Sequence, residues 1–362
     1  MVQKLELLNR FPPELYGSRS NMSADEVAVN RRLVIDGALI LRRTCAIAGV
    51  DAAQCYDRIV HSLSSLLCQK EGVPLPSILL MYGAIQSMTY FLRTQFGEST
   101  GHYGGCNEIP FQGSCQGNGA SPALWLVISM YLVLLMRQQG HTSCFQSAYS
   151  GICLTLIGFL FVDDTDLVIL GKYDETPAEV HNRLQRAVDF WNGILRVTGG
   201  SLRPDKCYWY LISFTWKDGK SKVSYSDPPP IFLNNEDDSI DPIAYKKPDI
   251  PTEAVGVWQA VDNKKNEQLQ VLIDKIQSTH RALEQTPLPR DLTWVGLRQA
   301  IWRSIAYVLP AMSLSNKESI LLAKELYRPI ISKLGCNRYF PLKLRYNPAH
   351  LLGLGLFDPY LE

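Results

Sequence analysis

An apolar stretch interrupted by acids, GICLTLIGFLFVDDTDLVILGK (151–172), constrains the fold of this chain more than any other feature. Branched and aromatic residues on both sides of the acids are typical of buried strands, and Asp is a frequent turn residue. We therefore predict a β-hairpin with strands over 151–162 and 167–172 and with Asp163 and Asp164 in its turn. A solvated turn would explain an isolated acidic pair equally well.

A third acid follows a second predicted strand, TCAIAGVD (44–51), which ends at Asp51. Carboxylates at the ends of two adjacent strands can share divalent ions, and Mg²⁺ prefers one or two carboxylates together with phosphate oxygens. Two such ions would clamp the attacking and leaving oxygens of a phosphoryl transfer. Consecutive strand residues point to opposite faces, so Asp163 and Asp164 are not equivalent, and we expect Asp163 to be the main ligand.

Helix-start signals flank these strands. Ser23 and Glu26 form a capping box, Ser121-Pro122 opens an apolar helix, and Thr176-Pro177 opens another. The predicted helices cover about 23–41, 56–68, 77–92, 121–137 and 176–197, and a further strand pair covers 207–216 and 222–226. The Pro-rich, acidic stretch 227–251 is predicted to be a linker or long loop. Helical periodicity returns beyond it. The order predicts an α/β (α+β) body followed by a helical domain.

Composition restricts the class of protein. A chain of 362 residues with 46% hydrophobic content is typical of a soluble protein with two or three subdomains. The apolar block 123–136 is shorter than the roughly 18 residues that a membrane span requires, so we expect a buried helix and no membrane partner. Nine irregularly spaced cysteines without a CxxC pair argue against a disulfide framework and a zinc site. We expect an intracellular protein, cytoplasmic or nuclear.

Charge is distributed unevenly along the chain, although the net charge is only +1. Residues 264–348 hold 14 Lys and Arg against 6 Asp and Glu, a net charge of +8. Residues 231–262 hold 2 against 7, a net charge of −5. A basic C-terminal third suits a nucleic-acid backbone, whose counterions are released on binding. A solvated helical surface would account for the same residues.

The chain resembles the reverse transcriptases in four motifs that occur in the order typical of that family. The matching segments are VDAAQCYDRI (50–59, motif A), QGNGASP (116–122, motif B), FVDD (161–164, motif C) and GGSLRPDKC (199–207, motif D). EAVGV (253–257) is a weaker likeness of the strand that grips the primer. The resemblance covers about 15–335. YGSRSNMSADE, with the long spacing from motif A to motif C, is most similar to the non-LTR retrotransposon and group II intron types.

This resemblance implies a polymerase palm, with an antiparallel sheet and flanking helices, and a C-terminal helical thumb. The implied domains are a fingers remnant (1–43), the palm (44–226), a linker (227–252), the thumb (253–345) and a tail (346–362). Only 16 residues precede Gly17, so we expect the fingers to be largely missing and the chain to be weakly active. The implied activity is that of an RNA-directed DNA polymerase, which transfers deoxynucleotides from their triphosphates to a primer on an RNA or DNA template.

The resemblance also implies roles for single residues. Asp51, Asp163 and Asp164 would hold two Mg²⁺ ions, for which Mn²⁺ could substitute. Lys206 would act beside the pyrophosphate as the fourth catalytic residue. An ordinary exposed lysine is the alternative for Lys206.

Nucleotide binding would involve Tyr56, Gln116, Gly117 and Ala52. The Tyr56 ring would lie under the sugar and exclude a 2′-hydroxyl. Gln116 would donate hydrogen bonds to the nucleotide or template, and Gly117 would let the backbone approach the base pair. Outside the resemblance, Tyr56 would be a core residue and Gln116-Gly117 a flexible loop.

Two other classes of protein compete with this interpretation. A viral RNA-dependent RNA polymerase would show Gly-Asp-Asp at the turn and no Gln-Gly motif. A catalytically inactive nucleic-acid-binding protein derived from a retroelement would keep the fold and the basic surface. Missing fingers favour this second alternative, and the intact acidic triad opposes it. For either interpretation, the missing fingers or other retroelement domains are further candidate partners.

Overall fold

The computed structural model describes residues 1–104, 112–115, 117–147, 149–328 and 330–360. The chain divides into two compact units. The first unit comprises Met1–Val27 and Val34–Pro248, and the second comprises Ala28–Leu33 and Asp249–Glu362.

Helices and strands alternate through the first unit, and helix α2 contributes residues to both units. The helices up to residue 197 are α1 (Val2–Leu7), α2 (Ala24–Leu41), α3 (His61–Lys70), α4 (Leu75–Gln86), α5 (Ser121–Gln138) and α6 (Pro177–Val197). The strands are β1 (Cys45–Asp51), β2 (Thr89–Thr94), β3 (Gly97–Gly104), β4 (Ser143–Gln146), β5 (Cys153–Leu156), β6 (Gly158–Phe161), β7 (Asp164–Leu170), β8 (Tyr208–Ile212), β9 (Phe214–Lys217), β10 (Lys220–Val223), β11 (Ile231–Asn234) and β12 (Ile240–Tyr245).

The central sheet places β1 between its two antiparallel neighbours, β7 and β8. Within the described residues, the strand order in this six-stranded sheet is β11-β12-β8-β1-β7-β6, and β12 pairs with β8 in parallel. The predicted fold class is confirmed. The chain has an α/β body, in which helices flank a mixed and mostly antiparallel β-sheet, followed by a mainly helical unit. The hairpin with the acidic turn is also present, as β6 and β7.

Alternation along the central strands separates an apolar face from a face that carries acids. Ala46, Ala48 and Val50 belong to the core that α5 and α6 also form. Successive strand residues point to opposite faces, so Gly49 and Asp51 lie on the other face. Because α5 and α6 cover the face that carries Ala46, Ala48 and Val50, the Asp51 side chain lies on the opposite face of the sheet.

The second unit is mostly helical. Its elements are the strands β13 (Thr252–Ala254) and β14 (Val257–Gln259) and the helices α7 (Asn266–Gln285), α8 (Arg290–Gly296), α9 (Arg303–Val308), α10 (Asn316–Tyr327) and α11 (Leu342–Tyr346). A π-helical stretch, Leu297–Trp302, joins α8 to α9. Leu272, Leu322 and Leu326 form part of its core, to which Leu356 also belongs. Residues 346–362, predicted to be a tail, therefore contribute a buried side chain to this core.

The predicted linker over 227–251 is wrong, because this segment provides strands β11 and β12 of the central sheet. Ile231, Leu233 and Ile243 are buried there. In β11 buried and exposed residues alternate, which is a strand pattern. The segment is rich in Pro and acidic residues, and this overall composition does not indicate the alternation of buried and exposed positions in its strands.

The helix predicted from Tyr56 to Cys68 begins later, at His61. Residues 52–60 instead bond across to the segment 198–203: the Ala53 N–H donates to the Ser201 carbonyl at 2.8 Å, and the Val60 N–H to the Thr198 carbonyl at 2.9 Å. A backbone that uses its donors in this way cannot continue an α-helix. Tyr56 therefore lies in a turn and not at a helix start.

The strand predicted over 151–162 is divided, because β5 pairs with β4 in a separate hairpin while β6 pairs with β7. A disulfide joins Cys144 of β4 to Cys153 of β5, although the spacing of the cysteines argues against a disulfide framework. Cys55, Cys68 and Cys207 are buried free thiols. Irregular spacing along the sequence did not indicate that a hairpin brings two cysteines together.

Helix α5 is the apolar block that the sequence predicts to be buried. By length and composition it could cross a membrane, yet 61% of it is buried inside the protein. Trp125, Ile128 and Met130 of this helix are part of the core of the first unit. Packing on the central sheet thus accounts for its apolar character.

Candidate functional site

The acidic turn is a tight connection of two residues, Val162 and Asp163, between β6 and β7. Val162 has a φ of 59°, in the left-handed region that a β-branched residue rarely adopts. Such a conformation costs on the order of 1–3 kcal/mol and persists only where surrounding contacts hold it. One such contact is the Trp125 Nε1–H, which donates to the Val162 carbonyl at 2.6 Å.

The segment Glu14–Gly17 supports the same turn. The Tyr16 N–H donates to the Leu160 carbonyl at 2.9 Å, and Leu15 forms a parallel bridge with Leu160. A Cβ on Gly17 would lie 2.5 Å from the Val162 nitrogen, so only glycine allows this approach. The segment YGSRS therefore packs against the turn that carries Asp163.

The register of the sheet brings two of the predicted site residues together. Asp51, the last residue of β1, lies directly opposite Asp164, the first residue of β7. Directly opposite residues of an antiparallel pair share one face of the sheet. Asp51 and Asp163 both line a pocket of about 470 Å³, to which Tyr56, Arg203 and Lys206 also contribute.

Negative charge is concentrated at this end of the sheet. The pKa of Asp164 is raised to about 6, first because surrounding protein partly withdraws the carboxyl from water, although the residue as a whole is exposed. The like charges of Asp163, Asp166 and Asp51 raise this pKa further, and Lys206 lowers it. The acids therefore create a potential that a cation would neutralise.

Lys206 places a positive charge next to these acids. Its Nζ lies 3.1 Å from Asp51 Oδ2, in an ion pair that leaves the Lys206 side chain half-exposed. The Arg203 N–H donates to the Asp51 carbonyl at 3.1 Å, so the segment with Lys206 is bonded to the end of β1. The structure thus places motif D directly beside motif A.

Tyr56 and Ala52 follow Asp51 around the pocket. Tyr56 is half-buried, and desolvation, followed by the neighbouring Cys55 and Asp163, raises the pKa of its hydroxyl. Ala52 is buried and forms a bridge with Leu202. Both residues lie in the pocket wall, where an incoming ligand would meet them.

The segment before motif B approaches Tyr56. The Ser114 N–H donates to the Tyr56 carbonyl at 2.7 Å, and the Ser121 hydroxyl at the start of α5 donates to the Ser114 carbonyl at 2.7 Å. Gly117 has a φ of 93°, and a Cβ there would have no neighbour within 4 Å. Gln116 lies outside the described residues, and its predicted role stays a prediction.

Thiol chemistry is disfavoured at this site. Cys55 lines the pocket, and its pKa is raised to about 12 by burial and then by the charge of Asp163. Burial also raises the pKa of Cys207 to about 11. A thiol is nucleophilic only as a thiolate, so neither cysteine is suited to covalent catalysis at neutral pH.

The chemistry of the acidic side chains supports metal binding, but the described side chains do not form a preassembled metal site. Carboxylate oxygens are the ligands that Mg²⁺ prefers. Among the described residues, no group of three or more His, Cys, Asp or Glu side chains is arranged so that it could already hold a metal ion. The ion pair with Lys206 occupies Asp51, so a metal ion would have to compete with it.

Three residues around the site were missed by sequence reasoning. Arg203 adds a second cation to the pocket, and its position within motif D could have indicated it. Trp125 and Gly17 act on the turn from 37 and 145 positions away along the chain. No local pattern could have identified that pairing.

Neither a protein-family model nor a curated protein sequence matches the chain. Among solved structures, the chain is similar to telomerase from Candida tropicalis in complex with a TWJ fragment of telomeric RNA, with a TM-score of 0.41 and 12% identity over 92% of this chain and 53% of that one. A corresponding complex from Candida albicans has a TM-score of 0.39 and 10% identity over 92% and 52%. The chain thus spans about half the length of these proteins. Similarity at this level assigns no activity to it.

Proposed function

We propose that this chain is the reverse transcriptase domain of a retroelement and catalyses template-directed DNA synthesis. The observation that carries the proposal is that Asp51 lies opposite Asp164, with Asp163 in the adjoining turn, beside a pocket lined by Tyr56 and Lys206. Tertiary folding brings motifs A, C and D together, although more than 100 residues separate the first from the second. The non-LTR or group II intron type is part of this proposal and rests on the resemblance of YGSRSNMSADE and on the long spacing from motif A to motif C.

The acids would hold two Mg²⁺ ions, which would activate the primer hydroxyl and neutralise charge on the leaving pyrophosphate. Asp51 and Asp163 face the pocket, and Asp164 adds negative charge from the face that it shares with Asp51. Lys206, once released from Asp51, can turn its ammonium group toward the leaving group. Arg203, once released from its ion pair with Asp205 at 2.8 Å, would add positive charge for the triphosphate.

Tyr56 would determine the choice of sugar. Its half-buried ring lies in the wall of the pocket, which Asp163 also lines, and Tyr56 packs against the hydrophobic core of the first unit. A ring fixed in this way can reject a ribose by steric overlap with the 2′-hydroxyl, which selects deoxynucleoside triphosphates. The partners would be a primer and an RNA or DNA template, in the cytoplasm or nucleus.

Primer extension with Mg²⁺ tests this proposal. The variant Asp163→Asn should lose extension while keeping primer–template affinity within a few-fold, because this carboxylate serves the transition state. Asp174→Asn, an exposed acid after β7, is the matched control and should extend normally. Unchanged extension by Asp163→Asn would overturn the metal assignment.

A second function is favoured by the ion pair between Lys206 and Asp51, which neutralises a proposed metal ligand. The chain would then bind nucleic acid without turnover. Tight binding of primer–template by the unaltered chain, with no extension in either Mg²⁺ or Mn²⁺, would support this alternative. Extension by the unaltered chain would exclude it.

A further inference from the structure

A basic pocket of about 880 Å³ lies in the second unit and shares no lining residue with the acidic pocket. Helix α10 forms one wall with Lys324, and Arg328 follows just after this helix. Arg338 and Arg345 come from the segment around α11. A single acid, Asp358, is among the described residues that line this pocket. Four cations therefore surround a cavity of the size typical of ligand clefts.

Three of these cations are not neutralised by neighbouring carboxylates. Lys324, Arg328 and Arg338 are exposed, and none forms an ion pair with a carboxylate among the residues that the structure describes. Elsewhere in the second unit, by contrast, Lys265 is paired with Glu318 at 2.9 Å. Like charges gathered around one cavity repel each other, and a bound polyanion would relieve that repulsion.

Exposed aromatic rings accompany the cations. The side chains of Tyr339 and Tyr360 line the pocket, and these residues are 76% and 60% exposed. The Arg338 guanidinium lies 4.7 Å from the centroid of the Tyr339 ring. Aromatic faces beside cations are the arrangement on which unpaired bases stack while phosphates meet the charges.

The segment that presents Tyr339 is held by its own hydrogen bonds. Arg345 donates from Nε to the Phe340 carbonyl at 2.9 Å and from Nη2 to the Arg338 carbonyl at 2.8 Å. The Tyr339 N–H donates to Asn337 Oδ1 at 2.8 Å. A segment whose backbone is already ordered in this way loses little conformational entropy when a ligand binds.

We propose that this pocket binds an unpaired, single-stranded segment of nucleic acid. Its phosphates would contact Lys324, Arg328 and Arg338, and its bases would stack on Tyr339 and Tyr360. A duplex hides its base faces in the stack, so it would use the charges and not the rings. The site does not depend on the acidic pocket.

Fluorescence anisotropy of the full chain with a 12-nucleotide single strand tests the role of the cations. Measurements in the Asp163→Asn background separate this site from catalysis. Each phosphate contact with a single strand contributes about 0.7 to the slope of log K against log salt. Loss of three contacts in the triple variant Lys324→Gln, Arg328→Gln, Arg338→Gln should therefore make this slope shallower by about 2.

The matched control removes Lys275, Arg281 and Arg303, which are exposed cations of the second unit outside the pocket. Substituting these three with Gln should leave the slope unchanged. An equal change in both triple variants would overturn the proposal, because binding would then depend on overall charge. Displacement of the strand by millimolar inorganic phosphate would overturn it too, since the pocket would then be a small-anion site.

Substitution of the rings tests stacking separately. Tyr339→Ala with Tyr360→Ala should weaken single-strand binding at least about tenfold, whereas the two Tyr→Phe changes should preserve it. Affinity for a duplex of equal length should not change. A 5-iodouridine strand should crosslink on irradiation to Tyr339 or Tyr360. Unaltered single-strand affinity in the Ala variant, or crosslinks only elsewhere, would overturn the proposal.

Discussion

Val162 shows how one residue of the acidic turn depends on distant parts of the chain. Its left-handed backbone is unfavourable in itself and is held by the hydrogen bond from Trp125 and the close approach of Gly17. The position of Asp163, the next residue, depends on that backbone. The acids of the proposed site are therefore positioned by residues that carry no charge.

Gly17→Ala tests this support. The added Cβ would lie 2.5 Å from the Val162 nitrogen, so the turn must shift, and we expect a loss of about 1–3 kcal/mol in stability. Extension should fall more than thermal stability alone explains, because Asp163 moves with the turn.

Gly37→Ala is the control for this substitution, since a Cβ there would have no neighbour within 4 Å. This change in the middle of α2 should stabilise the protein by about 0.5–1 kcal/mol. Thermal melts and extension rates of both variants provide the comparison. A Gly17→Ala protein with unaltered melting and extension would show that the approach is unimportant.

Lys206 competes with any cation for Asp51. Removal of its ammonium group, 3.1 Å from Asp51 Oδ2, makes the pocket more negative. Lys206→Ala should therefore bind Mn²⁺ several-fold more tightly by isothermal titration calorimetry, while nucleotide transfer becomes slower. Lys247→Ala, which breaks the ion pair with Asp227 at 3.4 Å, should change neither quantity. Weaker Mn²⁺ binding by Lys206→Ala would contradict this account.

At the scale of elements, cap residues determine where several helices begin. Thr176 and Glu179 form a capping box at α6, and Ser315 and Glu318 form one at α10. Both boxes combine a hydroxyl and a carboxylate three residues apart, so they can be recognised without knowledge of the fold. Helix α6 was predicted almost to the residue for this reason.

The stability that the capping box of α10 contributes depends on pH through the carboxylate of Glu318. Partial burial raises its pKa, but hydrogen bonds from Lys265 and Ser315 outweigh burial and lower the pKa to about 2. A lowered folded-state pKa stabilises the protein above the unfolded pKa near 4.5, and this stabilisation is lost as pH falls toward 2.

Glu318→Gln should therefore destabilise the chain at neutral pH by about 1 kcal/mol. The difference in stability from the unaltered protein should shrink between pH 4.5 and pH 2. Urea unfolding at several pH values measures it, and Glu284→Gln on α7 serves as an exposed control. A difference that stays constant over this range would exclude the link.

Segments that depend on distant partners are harder to predict than capped helices. Residues 52–60, which form a turn, and 227–251, which contain two strands, differ from their predictions because their structure depends on partners far along the chain. A capping box or an apolar period involves neighbours within one turn, whereas β12 is defined by its parallel pairing with β8. The acidic pair was predictable, but its support by Trp125 was not.

At the scale of the whole molecule, the second unit is not a continuous C-terminal piece. Ala28–Leu33 of helix α2 belong to it, and Ala28 is part of its core. Arg31 is fully buried and donates to Gln259 Oε1 at 2.8 Å, while Gln259 Nε2 donates to the Ala28 carbonyl at 2.9 Å. A cut before Asp249 separates these partners.

A fragment of residues 249–362 should therefore be poorly folded alone. Addition of a synthetic peptide of residues 23–36 should increase its helical circular dichroism beyond the sum of the two components. The same peptide with Arg31→Ala should restore much less, because the buried Gln259 Oε1 would then lose the donor that Arg31 provides. A fragment that melts cooperatively without the peptide would contradict this division of the chain.

The sequence by itself determined the local framework: helices with capping boxes, the acidic hairpin, a strand ending at Asp51, and the alternation of apolar and polar residues. These features depend on side chains and backbone groups within a few residues of each other. Only the tertiary structure decided that Asp51 faces Asp164, that Lys206 pairs with Asp51, that Gly17 and Trp125 hold the turn, and that Ala28–Leu33 join the second unit. Each of these contacts joins residues dozens to hundreds of positions apart, and such contacts form only when the packing of the cores brings their backbones together.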